Sequence, residues 1–344
     1  MKILCITNQE EDYLADAFII GCKLYFKHNC HEHKVKKILY KNSDIGKVRG
    51  NAFTLYNNLP LIDSVSCENL SKNNIQQYDY IVFTSIYRQY EVFLKLYSIL
   101  DKNKTILLDG EDKGNVFMYS GKYWKNPINW FRPKPHKLFP YFKREITEMT
   151  IYSLHYKLFS KSFCMNRPLH KNIRPISFAI PSEKIIIELP KKTKDFPIHI
   201  VDPEIAEKII GSKTSYGFSN EEAYYKDLQE SKFGITAKRG GWDCLRHYEI
   251  AANGGVICFK NLDEKPKHCA PHGLIPNENC ISYVDYNDLI KQIQELNEER
   301  YNEIQQKSII WVAANSCEKM IENIFKINSM AHSIKQNRSS FLKT

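Results

Sequence analysis

Residues 235–255 read ITAKRGGWDCLRHYEIAANGG. The stretch opens as an apolar run, passes through Lys238, Arg239 and two glycines, and continues with apolar residues at helical spacing as far as Gly254. That pattern predicts a strand, a loop and a helix, with glycine as the helix stop. In open α/β sheets the ligand crevice lies outside the carboxyl ends of the strands. A basic glycine loop at that place, leading into a helix N-terminus, offers an anion backbone N–H groups, a positive dipole end and two formal charges. Lys238, Arg239, Gly240 and Gly241 are therefore candidate diphosphate contacts. Arg246 and Glu249 are spaced three apart and share one helix face. Arg246 can fork onto phosphate oxygens, and Glu249 can accept from vicinal hydroxyls such as those of a ribose. The structural alternative is an intrahelical Arg246–Glu249 pair with Asp243 as a plain N-cap.

The same alternation extends in both directions. KILCIT, DYIVFTS and KTILLDGED read as buried strands, and YLADAFIIGCKLYF and RQYEVFLKLYSIL as helices between them. After an irregular stretch at about 113–175, a second series begins with FPIHIVD as a strand and PEIAEKII as a helix. It continues through EEAYYKDLQES, KFGITA, DCLRHYEIAAN, GVICF and CISYV, and ends in a long helical pattern from YNDLI to about residue 330. Strands alternating with helices predict parallel, doubly wound sheets. The expected architecture is α/β, with two Rossmann-like domains facing a cleft. Residues 1–180 form the N-terminal domain, 181–330 the C-terminal one and 331–344 a polar tail. The long final helix is expected to return to the N-terminal domain.

Residues 223–290, with the order Tyr225, Leu228, Ser231, Phe233, Gly234, Cys244, Arg246, Glu249 and Gly254, resemble the donor-binding domain of GT-B glycosyltransferases of the exostosin-like and group 1-like kinds. Only one glutamate of the group 1 paired-glutamate motif is evident, and GGVICF stands where that group has its usual glycine–proline–valine run. The resemblance implies sugar transfer from a nucleotide-sugar donor to a hydroxyl acceptor on a glycan, a lipid-linked glycan or a protein. It implies Lys238 and Arg239 on the diphosphate, Glu249 on the ribose, Arg246 in support, and no metal cofactor. It also places the loop carrying His268, Cys269 and His272 beside the donor sugar, with His272 as a contact. A nucleotide-sugar epimerase of the same fold is the enzymatic alternative.

On the N-terminal side, LLDGED puts Asp109, Glu111 and Asp112 at the end of a strand, and NQEEDYLAD puts Asp12 at a strand-to-helix entrance. A general base must reach the attacking hydroxyl, so Asp12 and Asp109 are the catalytic candidates, each weighed against a plain turn or cap. HNCHEH at 28–33 reads as a solvated loop. Residues 122–144, KYWKNPINWFRPKPHKLFPYFKR, interleave aromatics with Lys and Arg and contain no acid. Such a segment can stack sugars, lie on an anionic lipid surface or track single-stranded nucleic acid. It marks the expected acceptor-side surface, and a nucleic-acid-binding protein is the non-enzymatic alternative.

Composition supports a globular chain. Apolar residues are 43% and charged residues 26% of 344, and the formal net charge of +10 favours an anionic partner. The ten cysteines include no C-x-x-C pair, and the first residues lack the length of apolar run that a signal peptide needs. The expectation is a soluble cytoplasmic protein, with the inner membrane surface as an alternative location, and nucleic acid is not the expected partner.

Overall fold

The computed structural model describes residues 1–43, 53–61, 64–119, 123, 125–152 and 156–326. Six parallel strands form the N-terminal sheet: β1 (Ile3–Ile6), β2 (Cys30–Glu32), β3 (Tyr80–Phe83), β4 (Thr105–Asp109), β5 (Tyr141–Lys143) and β6 (Ile173–Pro175). Their spatial order is β2-β1-β3-β4-β5-β6. The order reverses at β1, which opens a ligand crevice at the carboxyl ends of β1 and β3. Helices α1 (Tyr13–Phe26) and α2 (Ile86–Leu96) start at that crevice. β1 and β4 are buried along their whole length, as expected of a parallel sheet covered on both faces.

The C-terminal sheet has three parallel strands in the order β7 (Phe233–Ala237), β8 (Val256–Lys260), β9 (Cys280–Tyr283). Around it lie α3 (Pro203–Lys208), α4 (Glu221–Glu230), α5 (Leu245–Ala252), α6 (Tyr286–Glu295) and α7 (Glu298–Ala314). The two α/β units face one another across a cleft, as the alternation predicts, but the order reverses only in the N-terminal sheet, while the three C-terminal strands follow in sequence.

Local readings fail where a side chain competes with the backbone. FPIHIVD is no strand: Pro197 has no N–H to donate, and the Ile198 N–H goes to the Asp227 carboxylate at 3.0 Å. Only single bridges at Lys194 and His199 remain there. HNCHEH contains β2 and is not a solvated loop, with Cys30 and Glu32 fully buried. The long final pattern breaks at Asn297, whose side chain caps α7, and again at residues 315–316. The last described helix, α8 (residues 317–326), then crosses to the N-terminal sheet. The polar tail from 331 lies outside the described residues.

Apolar packing joins the halves. One cluster runs from Ile3, Cys5 and Phe18 through Phe178, Trp242 and Tyr248 to Trp311, Cys317 and Ile321. Phe325 stands edge-on to Phe26 and Tyr80, with ring centroids 5.5 and 4.9 Å apart. Close approach is possible because Gly21 has no side chain: a Cβ there would collide with the Cys317 carbonyl and the Ile321 side chain. Gly21→Ala is therefore expected to push α8 off α1 and cost about 1–3 kcal/mol, the usual penalty for overpacking. Thermal melting checks this, and an unchanged midpoint would mean that α8 does not dock there.

Candidate active site

Two adjoining cavities lie between the units. The first, of about 360 Å³, is walled by Tyr13, Val201, Tyr216, Tyr224, Thr236, Ala237, Arg239, Cys244, Leu245, Arg246 and Glu249. The N-terminal turn of α5 opens into it. The second, of about 440 Å³, shares Tyr13, Arg239 and Cys244 with the first. Its remaining wall is ionic: Asp12, Arg88, Glu111 and Asp112 from the N-terminal unit, and Arg144 beside Asp243.

Each wall is held from elsewhere in the chain. β5 ends in Lys143, and the next two residues, Arg144 and Glu145, reach across the cleft with almost no exposure. One Glu145 oxygen accepts the backbone N–H groups of Trp242 at 2.9 Å and Asp243 at 3.2 Å, and the other accepts the Cys269 thiol at 2.8 Å. Arg144 donates to Glu145 at 2.8 Å, to the Asp243 carbonyl at 2.8 Å, to the Gly110 carbonyl at 3.1 Å and to Asp112, with its guanidinium over the Phe178 ring. Asp243 accepts from the Phe178 N–H and the Tyr248 hydroxyl, and burial lifts its carboxyl to about 6 against the pull of Arg144.

This network explains the two glycines. A Cβ at Gly241 would strike the Glu145 carboxylate, and one at Gly240 would strike Asp112. The loop is thus glycine-rich at the points where N-terminal acids press against it.

The predicted residues separate accordingly. Arg239 and Arg246 point into the first cavity, and neither has an ion pair among the described residues. His199 lies near both. Burial, then the two guanidinium charges, push it down to about 4, so it is neutral at physiological pH and leaves the arginines as the local cations. Lys238 is exposed, stands over the Trp242 ring at 4.9 Å and lines neither cavity.

Glu249 makes no contact ion pair with Arg246 among the described residues, although its charge helps to raise the Arg246 guanidinium. Its carboxylate accepts from the Thr54 hydroxyl at 2.6 Å and the Tyr224 hydroxyl at 2.7 Å, one on each oxygen. The N-cap of α5 is Cys244 and not Asp243.

Asp12 caps α1 through the Ala15 N–H and binds Arg88 at 2.6 Å, on the wall of the second cavity. Asp109 does not reach the cleft. The β4–β5 register sets it opposite Lys143, and it is spent on the Lys143 ammonium at 3.1 Å and the Tyr141 hydroxyl while 2% exposed. His272 is likewise elsewhere. It lines a separate cavity with Phe142, Phe178 and Met320, its carbonyl accepts from Trp311, and burial pushes it down to about 4. Cys5, Cys22 and Cys30 bring three sulfurs within 4.8 Å of one another, deep in the N-terminal core and away from either cavity.

Sequence reasoning missed Tyr13, Thr54, Tyr224, Arg144 and Glu145. The adjacent Arg144–Glu145 pair was a signal, being the end of the basic stretch and the start of an acid. Lys143 and Arg144, read as surface cations, are buried.

No protein-family model matches the chain, and no curated protein does. Solved structures do. A glycosyltransferase from Rickettsia africae superposes with a TM-score of 0.52 over 96% of this chain and 98% of that one, at 11% identity. HepE from Anabaena, in complex with UDP and glucose, gives 0.53 over 96% and 99%, at 7% identity. A second HepE structure, in complex with UDP-glucose, gives 0.51 over 96% and 100%, at 8% identity. The fold is that of the GT-B glycosyltransferases, over the whole length of these neighbours.

Because Glu249 of α5 joins Thr54 of the N-terminal unit to Tyr224 of α4, Glu249→Gln is expected to lower stability by about 1–3 kcal/mol, the cost of buried hydroxyl donors losing a charged acceptor. Thermal melting reads this. No shift would show that the carboxylate does not hold those hydroxyls.

Proposed function

We propose that the protein is a glycosyltransferase that takes a nucleotide sugar in the first cavity and a hydroxyl acceptor in the second. The observation that carries this reading is the pair of guanidiniums, Arg239 and Arg246, which make no contact ion pair among the described residues and converge with a helix N-terminus on one cavity that adjoins an acid-walled one. Helix N-termini and arginine forks are suited to phosphate oxygens. Tyr13, Tyr216 and Tyr224 supply ring surface, and Glu249 keeps acceptor capacity toward a ribose beyond the two hydroxyls it already receives. UDP, present in the HepE structures, is the first nucleotide to test.

In the proposed reaction the acceptor oxygen attacks the anomeric carbon of the donor. The bond from that carbon to the diphosphate oxygen breaks, and the nucleoside diphosphate leaves with the electron pair. Arg239 and Arg246 meet the growing negative charge, and electrostatic stabilisation of this kind is commonly the largest catalytic contribution. They do so without a metal cofactor. The hydroxyl proton passes to a carboxylate of the second cavity. Asp12 and Glu111 stand there, both on Arg88, whereas Asp109 is buried behind them. Burial raises the Glu111 carboxyl despite Arg88, which suits it to accept a proton. A second cavity for an acceptor favours transfer over epimerisation.

Calorimetric titration of UDP into Arg246→Ala should show binding at least tenfold weaker, because hydrogen bonds to charged groups are worth about 1.5–3 kcal/mol. A chelator should leave wild-type binding and nucleotide release unchanged. Equal affinity in the variant, or activity restored by magnesium or manganese after chelation, would overturn the reading.

A further inference from the structure

Most of the large exposed apolar side chains described in the N-terminal unit fall in two segments, with Met1, Tyr25 and Leu61 elsewhere. Ile128, Trp130 and Phe131 are 64, 48 and 91% exposed, and Leu158, Phe159 and Phe163 are 76, 41 and 39% exposed. They belong to the two segments that lead into β5 and β6, the strands at one edge of the sheet. The segments touch: the Asn172 side chain donates to the Lys137 carbonyl at 3.0 Å, and the His136 and His170 rings lie 6.2 Å apart.

The exposed charges in the same segments are cationic. Lys125, Lys137, Lys157, Lys161, Arg167 and Lys171 are exposed. Between residues 125 and 172 the acids are Glu145, which is buried in the cleft, and Glu148, which is half-buried. Glu91 of α2 is the nearby counter-charge, 3.9 Å from Arg132. Proline-bounded turns at 127–131 and 135–138 fix the backbone of the first segment.

We infer that this edge of the N-terminal unit is a docking surface for an anionic lipid bilayer, with Phe131, Ile128 and Leu158 entering the headgroup layer and the lysines meeting lipid phosphates. Exposed apolar side chains and a predominance of exposed cations in the same two segments match the two attractions that hold proteins at such a surface. An exposed apolar patch of this kind is a cost in water unless a partner covers it. Single-stranded nucleic acid fits less well. Tyr152, Phe159 and Phe163 stack on one another, with centroids 4.8 to 6.3 Å apart, so their faces are largely used. Ile128 and Leu158 have no ring for a base to stack on. The inference goes beyond sugar transfer and stands or falls separately from it.

The test is co-sedimentation of the full chain with phosphatidylcholine vesicles, with and without phosphatidylglycerol. Binding is expected only with phosphatidylglycerol, and it should weaken as salt rises. Phe131→Ser with Leu158→Ser, and separately Lys157→Glu with Lys161→Glu, should each reduce it by about tenfold or more. UDP titration and thermal melting of the same variants should be unchanged, which separates this result from the donor-site reading. No binding to the anionic vesicles, binding as tight as wild type by both double variants, or tighter binding to a single-stranded oligonucleotide than to the vesicles would overturn it.

Discussion

The carboxylate of Glu145 is the constraint on which the cleft depends. A buried charge is tolerated only when it is paired and its remaining lone pairs are satisfied. Glu145 meets that condition by taking the Trp242 and Asp243 N–H groups, the Cys269 thiol and the Arg144 guanidinium. Because those amides belong to the loop after β7, satisfying the charge also fixes that loop against the N-terminal unit. Burial alone would weaken the Arg144 charge, but Glu145, Asp243 and Asp112 hold it above its ordinary range. Charge satisfaction and domain arrangement are thus one set of bonds.

The loop anchored this way turns Arg239 and Arg246 toward one cavity, neither in a contact ion pair among the described residues. Both guanidiniums can reach an anion in the cavity, Arg239 from an exposed position and Arg246 from a half-buried one, and they sit where the dipole of α5 also favours an anion. The acids on the opposing wall are partly neutralised by Arg88, which binds Glu10, Asp12 and Glu111 together. The cleft therefore has a cationic floor and an ion-paired acidic wall. α8 then carries the end of the C-terminal unit back onto α1, so the two sheets share apolar core as well as charge.

What the sequence made legible was local. The strand, loop and helix of residues 233–252 follow from spacing alone, and so does the alternation that makes the fold. Arg239, Arg246 and Glu249 were visible because they stand within that one unit. Gly240 and Gly241 were visible too, but their neighbours Asp112 and Glu145 are far away in sequence, so a ligand was the simplest cause to assign. Asp109 looked available because DGED ends a strand, whereas pairing with Lys143 across the sheet is a matter of register. Lys143 and Arg144 close a run of basic and aromatic residues, where only the acid that follows, Glu145, hinted at a different role. FPIHIVD had a strand's composition, yet one proline and the Asp227 side chain turned its donors elsewhere.

Hydrogen exchange of the 236–249 segment, with and without UDP, tests the central claim most directly, since it reads the backbone where the phosphate is proposed to bind. The amides of Cys244, Leu245 and Arg246, at the opening turn of α5, are expected to exchange more slowly when UDP is present, while the distant outer face of the C-terminal sheet does not change. Protection confined to the N-terminal unit, or none at these amides at a saturating UDP concentration, would contradict the account.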